Sequence, residues 1–149
     1  MKINFKREYN VEAILKIQDE IILRQIIHNV ATTVGKRHIA DQLSLTPAQD
    51  PMGYMATGTG ADAGDDPTVL TTELSRLALT YRTQQAGDDA NKVLYQCTWI
   101  PGVGTGTITE AGIFNAAVSG VMLCYVHFDS AIPKVASAEL TLKWTGSID

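Results

Sequence analysis

Proton-transfer or nucleophilic chemistry needs carboxylates, histidines or a base-activated nucleophile within hydrogen-bond reach of one another. In this 149-residue chain the residue that stands out on those grounds is Glu110, inside Thr107-Ile108-Thr109-Glu110-Ala111-Gly112-Ile113-Phe114. The rest of that run is β-branched, aromatic or small, as suits a pleated and half-buried surface. A carboxylate there needs a partner, because removing it from water unpaired is costly. Arg76, at the end of Leu70-Thr71-Thr72-Glu73-Leu74-Ser75-Arg76, is the candidate in kind. Glu110 is therefore either a catalytic acid or half of a structural ion pair or strand-end cap. No second carboxylate or histidine lies nearby in sequence, which favours the structural role.

Other groupings carry less. His28, His38 and His127 are far apart, and none belongs to an HExxH motif, a Ser/His/Asp order or a two-carboxylate pair. Cys97 and Cys124 lack the spacing of a zinc site. Both sit in apolar alternating runs, where reduced buried thiols are the default and a bridge between paired strands is the alternative. Gly58-Thr59-Gly60-Ala61-Asp62-Ala63 matches a loose G-x-G-x-x-A pattern, but Gly64 and Pro67 interrupt the helix that a dinucleotide site requires. The aspartates that follow lack the D-x-D-x-D-G spacing of a calcium loop. A solvated turn is the expectation, with no catalytic residue, metal or cofactor assigned.

The elements that must position Glu110 are mostly strands. From Leu74 onward apolar residues recur with a period of two: Leu77, Leu79 and Tyr81, then Val93, Tyr95, Cys97 and Trp99, which puts Cys97 on the core face. Met122, Cys124, Val126 and Phe128 form one face of a later strand, and Leu140, Leu142 and Trp144 close the sheet. Gly87-Asp88-Asp89, Pro101-Gly102 and Ser119-Gly120 supply turns, the last one a hairpin, and residues 131–134 read as a loop. Upstream, Ile14, Ile17 and Ile21 fit helical spacing, yet the β-branched residues of 20–32 favour a strand. One short helix is expected at 36–43, where Ile39 and Leu43 share a face, ended by Pro47 and Pro51. A compact strand is expected at 52–57. Many short strands and one helix predict a mainly β protein, an antiparallel, jelly-roll-like β-sandwich, preceded by an N-terminal arm over 1–19 and occupying 20–149.

The length suits one domain with a real core. Hydrophobic content of 45% and charged content of 19% fit a globular chain. Charge is uneven: residues 1–40 carry a net +3 and the remainder a net −7. That predicts a basic arm, with Lys2, Lys6 and Arg7, beside an acidic body, able to meet complementary charge on a partner. The basic residues are sparse and interleaved with acids, so nucleic acid is not an expected partner. No apolar run approaches a membrane span or a signal core, which predicts a cytoplasmic product that does not enter membranes.

Three segments in order resemble a known group. They are His28-Asn29-Val30 with Val34-Gly35-Lys36-Arg37-His38-Ile39-Ala40; Tyr54-Met55-Ala56-Thr57-Gly58-Thr59-Gly60 with residues 70–76; and Ile108-Thr109-Glu110-Ala111-Gly112-Ile113-Phe114-Asn115-Ala116 with Met122-Leu123 and Phe128. Together they resemble small structural proteins of tailed bacteriophages, which include capsid cement (decoration) proteins and segments of tail-fibre or collar proteins. The resemblance implies a β-sandwich that assembles rather than catalyses. Glu73, Arg76 and Glu110 match its recurrent charged positions and would brace loops against strands. It further implies a virion protein, assembled in the host cytoplasm, that binds the major capsid protein at threefold capsomer junctions as a homotrimer. A tail or fibre-attachment part and a glycan-binding sandwich are the competing expectations.

Overall fold

The computed structural model describes residues 7–29 and 31–148. Among these residues the chain forms nine strands and one α-helix: β1 (Arg7–Ile17), β2 (Glu20–Asn29), α1 (Thr33–Gln42), β3 (Tyr54–Gly58), β4 (Glu73–Ala78), β5 (Tyr81–Gln84), β6 (Lys92–Trp99), β7 (Gly106–Phe114), β8 (Met122–Lys134) and β9 (Ala138–Ile148). Every strand pairing is antiparallel. One sheet has the order β2-β1-β9-β6-β5 and the other β4-β3-β7-β8. The two pack as a sandwich around Val11, Leu15, Trp99, Leu140, Leu142 and Trp144 from the first sheet and Met55, Ile108, Ile113, Val126 and Phe128 from the second. Both buried tryptophans satisfy their indole N–H, Trp99 donating to Ser75 Oγ (3.1 Å) and Trp144 to Asn29 Oδ1 (3.2 Å).

Four expectations need correction. Arg7–Ile17 is not arm but β1, lying between β2 and β9 inside the five-stranded sheet. Tyr9, Val11, Ala13 and Leu15 alternate into the core, and this period of two outweighs the helical spacing of Ile14, Ile17 and Ile21. Lys2 and Lys6 lie outside the described residues, as does the Arg7 side chain. Residues 131–134 continue β8 instead of forming a loop. Pro133 is tolerated because β8 is an edge strand of its sheet, where a missing N–H breaks no ladder. The helix begins three residues before the expected Lys36 because Thr32 caps it: its Oγ1 accepts from Gly35 N–H (2.9 Å) and donates to Met122 O (2.8 Å). Finally, residues 58–67, expected as a solvated turn, also make contacts that hold the fold. Asp66 Oδ1 accepts from Thr33 N–H at the start of α1 (2.6 Å), and that bond holds its carboxyl below the ordinary range.

The sandwich is closed along one side by side-chain amides. Asn29 Nδ2 donates to Tyr125 O (2.6 Å), Gln25 Nε2 donates to Ser130 O (2.7 Å), and Ser130 N–H donates back to Gln25 Oε1 (3.3 Å). Thr32 N–H donates to Leu123 O (3.1 Å). These bonds occupy backbone groups of β8 that an edge strand would otherwise leave open. At the β1–β2 turn, Gln18 and Asp19 both take positive φ (51° and 65°), the backbone of a primed two-residue hairpin turn.

Candidate functional site

Glu110 lies on the outer face of the four-stranded sheet, beneath residues 59–72. It is fully buried, and backbone N–H groups, not a cation, partner its carboxylate. Oε1 accepts from Thr72 N–H (2.8 Å) and Gly60 N–H (3.3 Å), while Oε2 accepts from Thr71 N–H (3.0 Å) and the Tyr125 hydroxyl (3.1 Å). Four donors aimed at two oxygens replace most of what water would supply, the condition under which a carboxylate can be buried. Gly58 and Gly60 make the approach possible. A Cβ on either would stand 2.6 and 2.7 Å from Oε1 respectively, closer than a side chain can sit. Thr109 adds a bond from its Oγ1 to Gly60 O (2.6 Å). The result is a clamp that fixes the β3–β4 connection to β7.

Tyr125 completes the clamp. Its oxygen accepts from Ala63 N–H (3.0 Å) while its hydroxyl donates to Glu110. Burial, with the neighbouring carboxylate adding to it against the opposing Ala63 bond, pushes the phenol up to about 12. At neutral pH it is a fixed donor. Leu70, Ala56, Phe114 and Met122 pack beside it as a second, smaller apolar cluster.

The expected Arg76–Glu110 pair does not form. Arg76 instead clasps Glu73 on the same strand with two bonds, Nε to Oε1 (2.9 Å) and Nη2 to Oε2 (2.6 Å). Its Nη1 donates to Ala116 O (2.9 Å) and Ser119 O (2.7 Å), and the guanidinium lies 3.7 Å from the Phe114 ring centroid. Arg76 thereby ties β4 to the β7–β8 turn, where Asn115 Oδ1 accepts from Val121 N–H (2.7 Å). The geometry brings Glu73 and Arg76 together and leaves Glu110 to its own loop. His127 stands opposite Glu110 in the β7–β8 register, yet the carboxylate bonds elsewhere. Cys97 and Cys124 are free, buried thiols in different sheets, and burial raises both. Among the described residues no group of three or more His, Cys, Asp or Glu could hold a metal ion, and no helix is long and apolar enough to cross a membrane.

His38, on the inner side of α1, is buried with its Nδ1 unpartnered. Burial lowers its pKa below 6.5, partly opposed by nearby Asp41. A depressed folded value means that the stability difference is present in full above 6.5 and is lost as pH falls through the folded value. The urea midpoint is therefore expected to drop between pH 6.5 and pH 5 in the native chain, and His38→Gln is expected to flatten that segment. Equal slopes for the two proteins would show that the imidazole does not sense the fold.

A surface feature went unread in the sequence. β2 forms the edge of its sheet and exposes Ile21, Ile22 and Ile26, the last two at 56% and 57%. Ile22 is the extra residue at an irregularity in the β1–β2 register, opposite Leu15 and Lys16, which turns two successive isoleucines outward. Beside them Arg24 pairs with Glu12 on β1 (3.0 Å). Unbroken isoleucine content pointed to a strand but not to which side would stay uncovered. Comparison with protein-family models, with curated proteins and with solved structures found no match in any of the three.

Proposed function

We propose that the chain is a non-enzymatic structural part of a tailed-phage virion. In this reading it is a cement protein that binds the major capsid protein on the outer shell, at junctions between capsomers, as a homotrimer. The observation that carries this reading is the exposed isoleucine face on a ten-residue edge strand. A strand edge with apolar side chains is a surface that proteins otherwise blunt or cover, so its persistence here suits burial against another chain. The charged residues support the same reading from the opposite direction. Glu110, Glu73 and Arg76 spend their hydrogen bonds on loops of their own chain, where they stiffen a rigid body instead of meeting a substrate. The three ordered segments that resemble phage structural proteins give the assembly its proposed setting.

The mechanism is burial repeated many times over. A stable interface covers roughly 1,200–2,000 Å², and attachment at adjacent lattice positions raises the effective concentration of each further contact. Isoleucine burial supplies affinity, while the Arg24–Glu12 pair at its margin sets orientation and rate. The double variant Ile22→Lys/Ile26→Lys, both on exposed positions, is expected to stay folded, to sediment as a monomer where the native chain forms trimers, and to leave particles undecorated. Many copies per particle would fit cement, and a handful would move the protein to the tail. Full occupancy by the double variant would remove β2 as the attachment surface.

A further inference from the structure

Helix α1 is seated on β8 of the four-stranded sheet and faces β1, β5, β6 and β9 of the other, and a pocket of about 220 Å³ between them opens to solvent. Ile39 from α1, Met52 before β3, and Val93 and Tyr95 from β6 form its walls, with His38 and Arg82 among the lining residues. Its size matters first. An apolar cavity of about 150 Å³ accepts benzene, so this pocket has room for a somewhat larger body. The walls are mostly hydrocarbon.

The polar groups narrow the ligand further. Among the described residues that line the pocket, Arg82 carries the one formal charge when His38 is neutral, and none of them is a carboxylate. Its guanidinium is anchored by one bond, Nη1 to Met52 O (2.6 Å), which leaves the rest of its donor fork for an anion. Tyr95 stands opposite Arg82 in the β5–β6 register. His38 is only 5% exposed and contributes to the same wall.

We propose that this cavity binds a small apolar monocarboxylate, an aryl acid or a short alkyl acid, with the carboxylate at Arg82 and the hydrocarbon against Ile39, Met52 and Val93. Such a pocket follows the general design of ligand sites, apolar walls with few convergent polar groups. The charge-assisted bond selects the acid over its neutral analogue. The inference does not depend on the virion reading.

Benzoate and hexanoate are the probes, with benzyl alcohol and 1-hexanol as neutral counterparts, titrated into the full chain while the methyl resonances of Ile39, Met52 and Val93 are followed. Saturable shifts are expected, with each acid binding about tenfold more tightly than its alcohol. Arg82→Gln should erase that preference and keep alcohol binding, whereas Val93→Trp or Ile39→Phe, each checked for a folded spectrum, should abolish both. Unmoved methyls up to the solubility limit, equal affinity for acid and alcohol, or binding retained in both filled variants would each overturn the proposal. So would binding that occurs only after residues 1–6 are deleted, since the chain's own N-terminus would then be the occupant. Methyl shifts that track protein concentration without any acid would assign the space to a second copy instead.

Discussion

Glu110→Ala is expected to lower the free energy of unfolding by about 3–5 kcal/mol, with Glu110→Gln costing about 1–3 kcal/mol. The ordering follows from the donors. Alanine leaves the N–H groups of Gly60, Thr71 and Thr72 and the Tyr125 hydroxyl without their acceptor. An unsatisfied buried donor costs about 1–3 kcal/mol, but Thr71 and Thr72 lie near solvent and regain part of that from water. Glutamine keeps one oxygen and turns an NH2 group towards two donors, so it loses less. Against a typical total of about 5–15 kcal/mol, the alanine variant is close to the limit of a stable fold. Urea unfolding gives the magnitude, and amide exchange gives the mechanism: Gly60, Thr71 and Thr72 should lose protection while β1 and β9 keep theirs. A glutamine variant of native stability that had lost turnover of some substrate would return Glu110 to catalysis.

This clamp also marks where reading the sequence ends. The strand around Glu110 and the need for a partner were legible, because a lone carboxylate among β-branched residues violates the local pattern. The partner was not, because backbone N–H groups belong to every residue type and leave no signature in composition. Arg76 was a reasonable expectation on charge alone, yet Glu73 sits three residues away on the same strand and binds it in two places. The sandwich class itself followed from the period of two and the spacing of turns. β1 was obscured because Arg7, Glu8, Asn10 and Glu12 make its N-terminal half look like a charged arm, although Tyr9, Val11, Ala13 and Leu15 already alternate. The cavity under α1 was beyond reach for a different reason. Its walls come from β1, α1, β5, β6, β8, β9 and the chain before β3, segments whose meeting is set by the packing of the helix and not by any local motif. The exposed isoleucines of β2 belong with it, since a strand's propensity says nothing of which face finds cover.

The position of that helix rests on one glycine, and the second large effect is expected there. Gly35 lies in the first turn of α1, directly over β8. A Cβ at this position would stand 2.0 Å from Leu123 O and 2.8 Å from Leu123 Cα, and both are backbone atoms that no rotamer change can move aside. Helix propensity alone favours alanine over glycine by about 1 kcal/mol, so the sign of Gly35→Ala is decided by whether the clash exceeds that gain. It does by a wide margin, because the helix must retreat from β8. That motion stretches the bonds from Thr32 N–H to Leu123 O and from Thr32 Oγ1 to Met122 O, and it lifts His38 and Ile39 away from the sheet. A net loss of about 3 kcal/mol or more is expected. Gly53→Ala is the matched control, since its nearest neighbour would be 3.9 Å away, and it should change stability by no more than about 0.5 kcal/mol. Urea midpoints of the two variants measure the contrast directly. If Gly35→Ala proved as stable as Gly53→Ala, α1 would not be seated on Leu123, and the cavity it roofs would have to be drawn again.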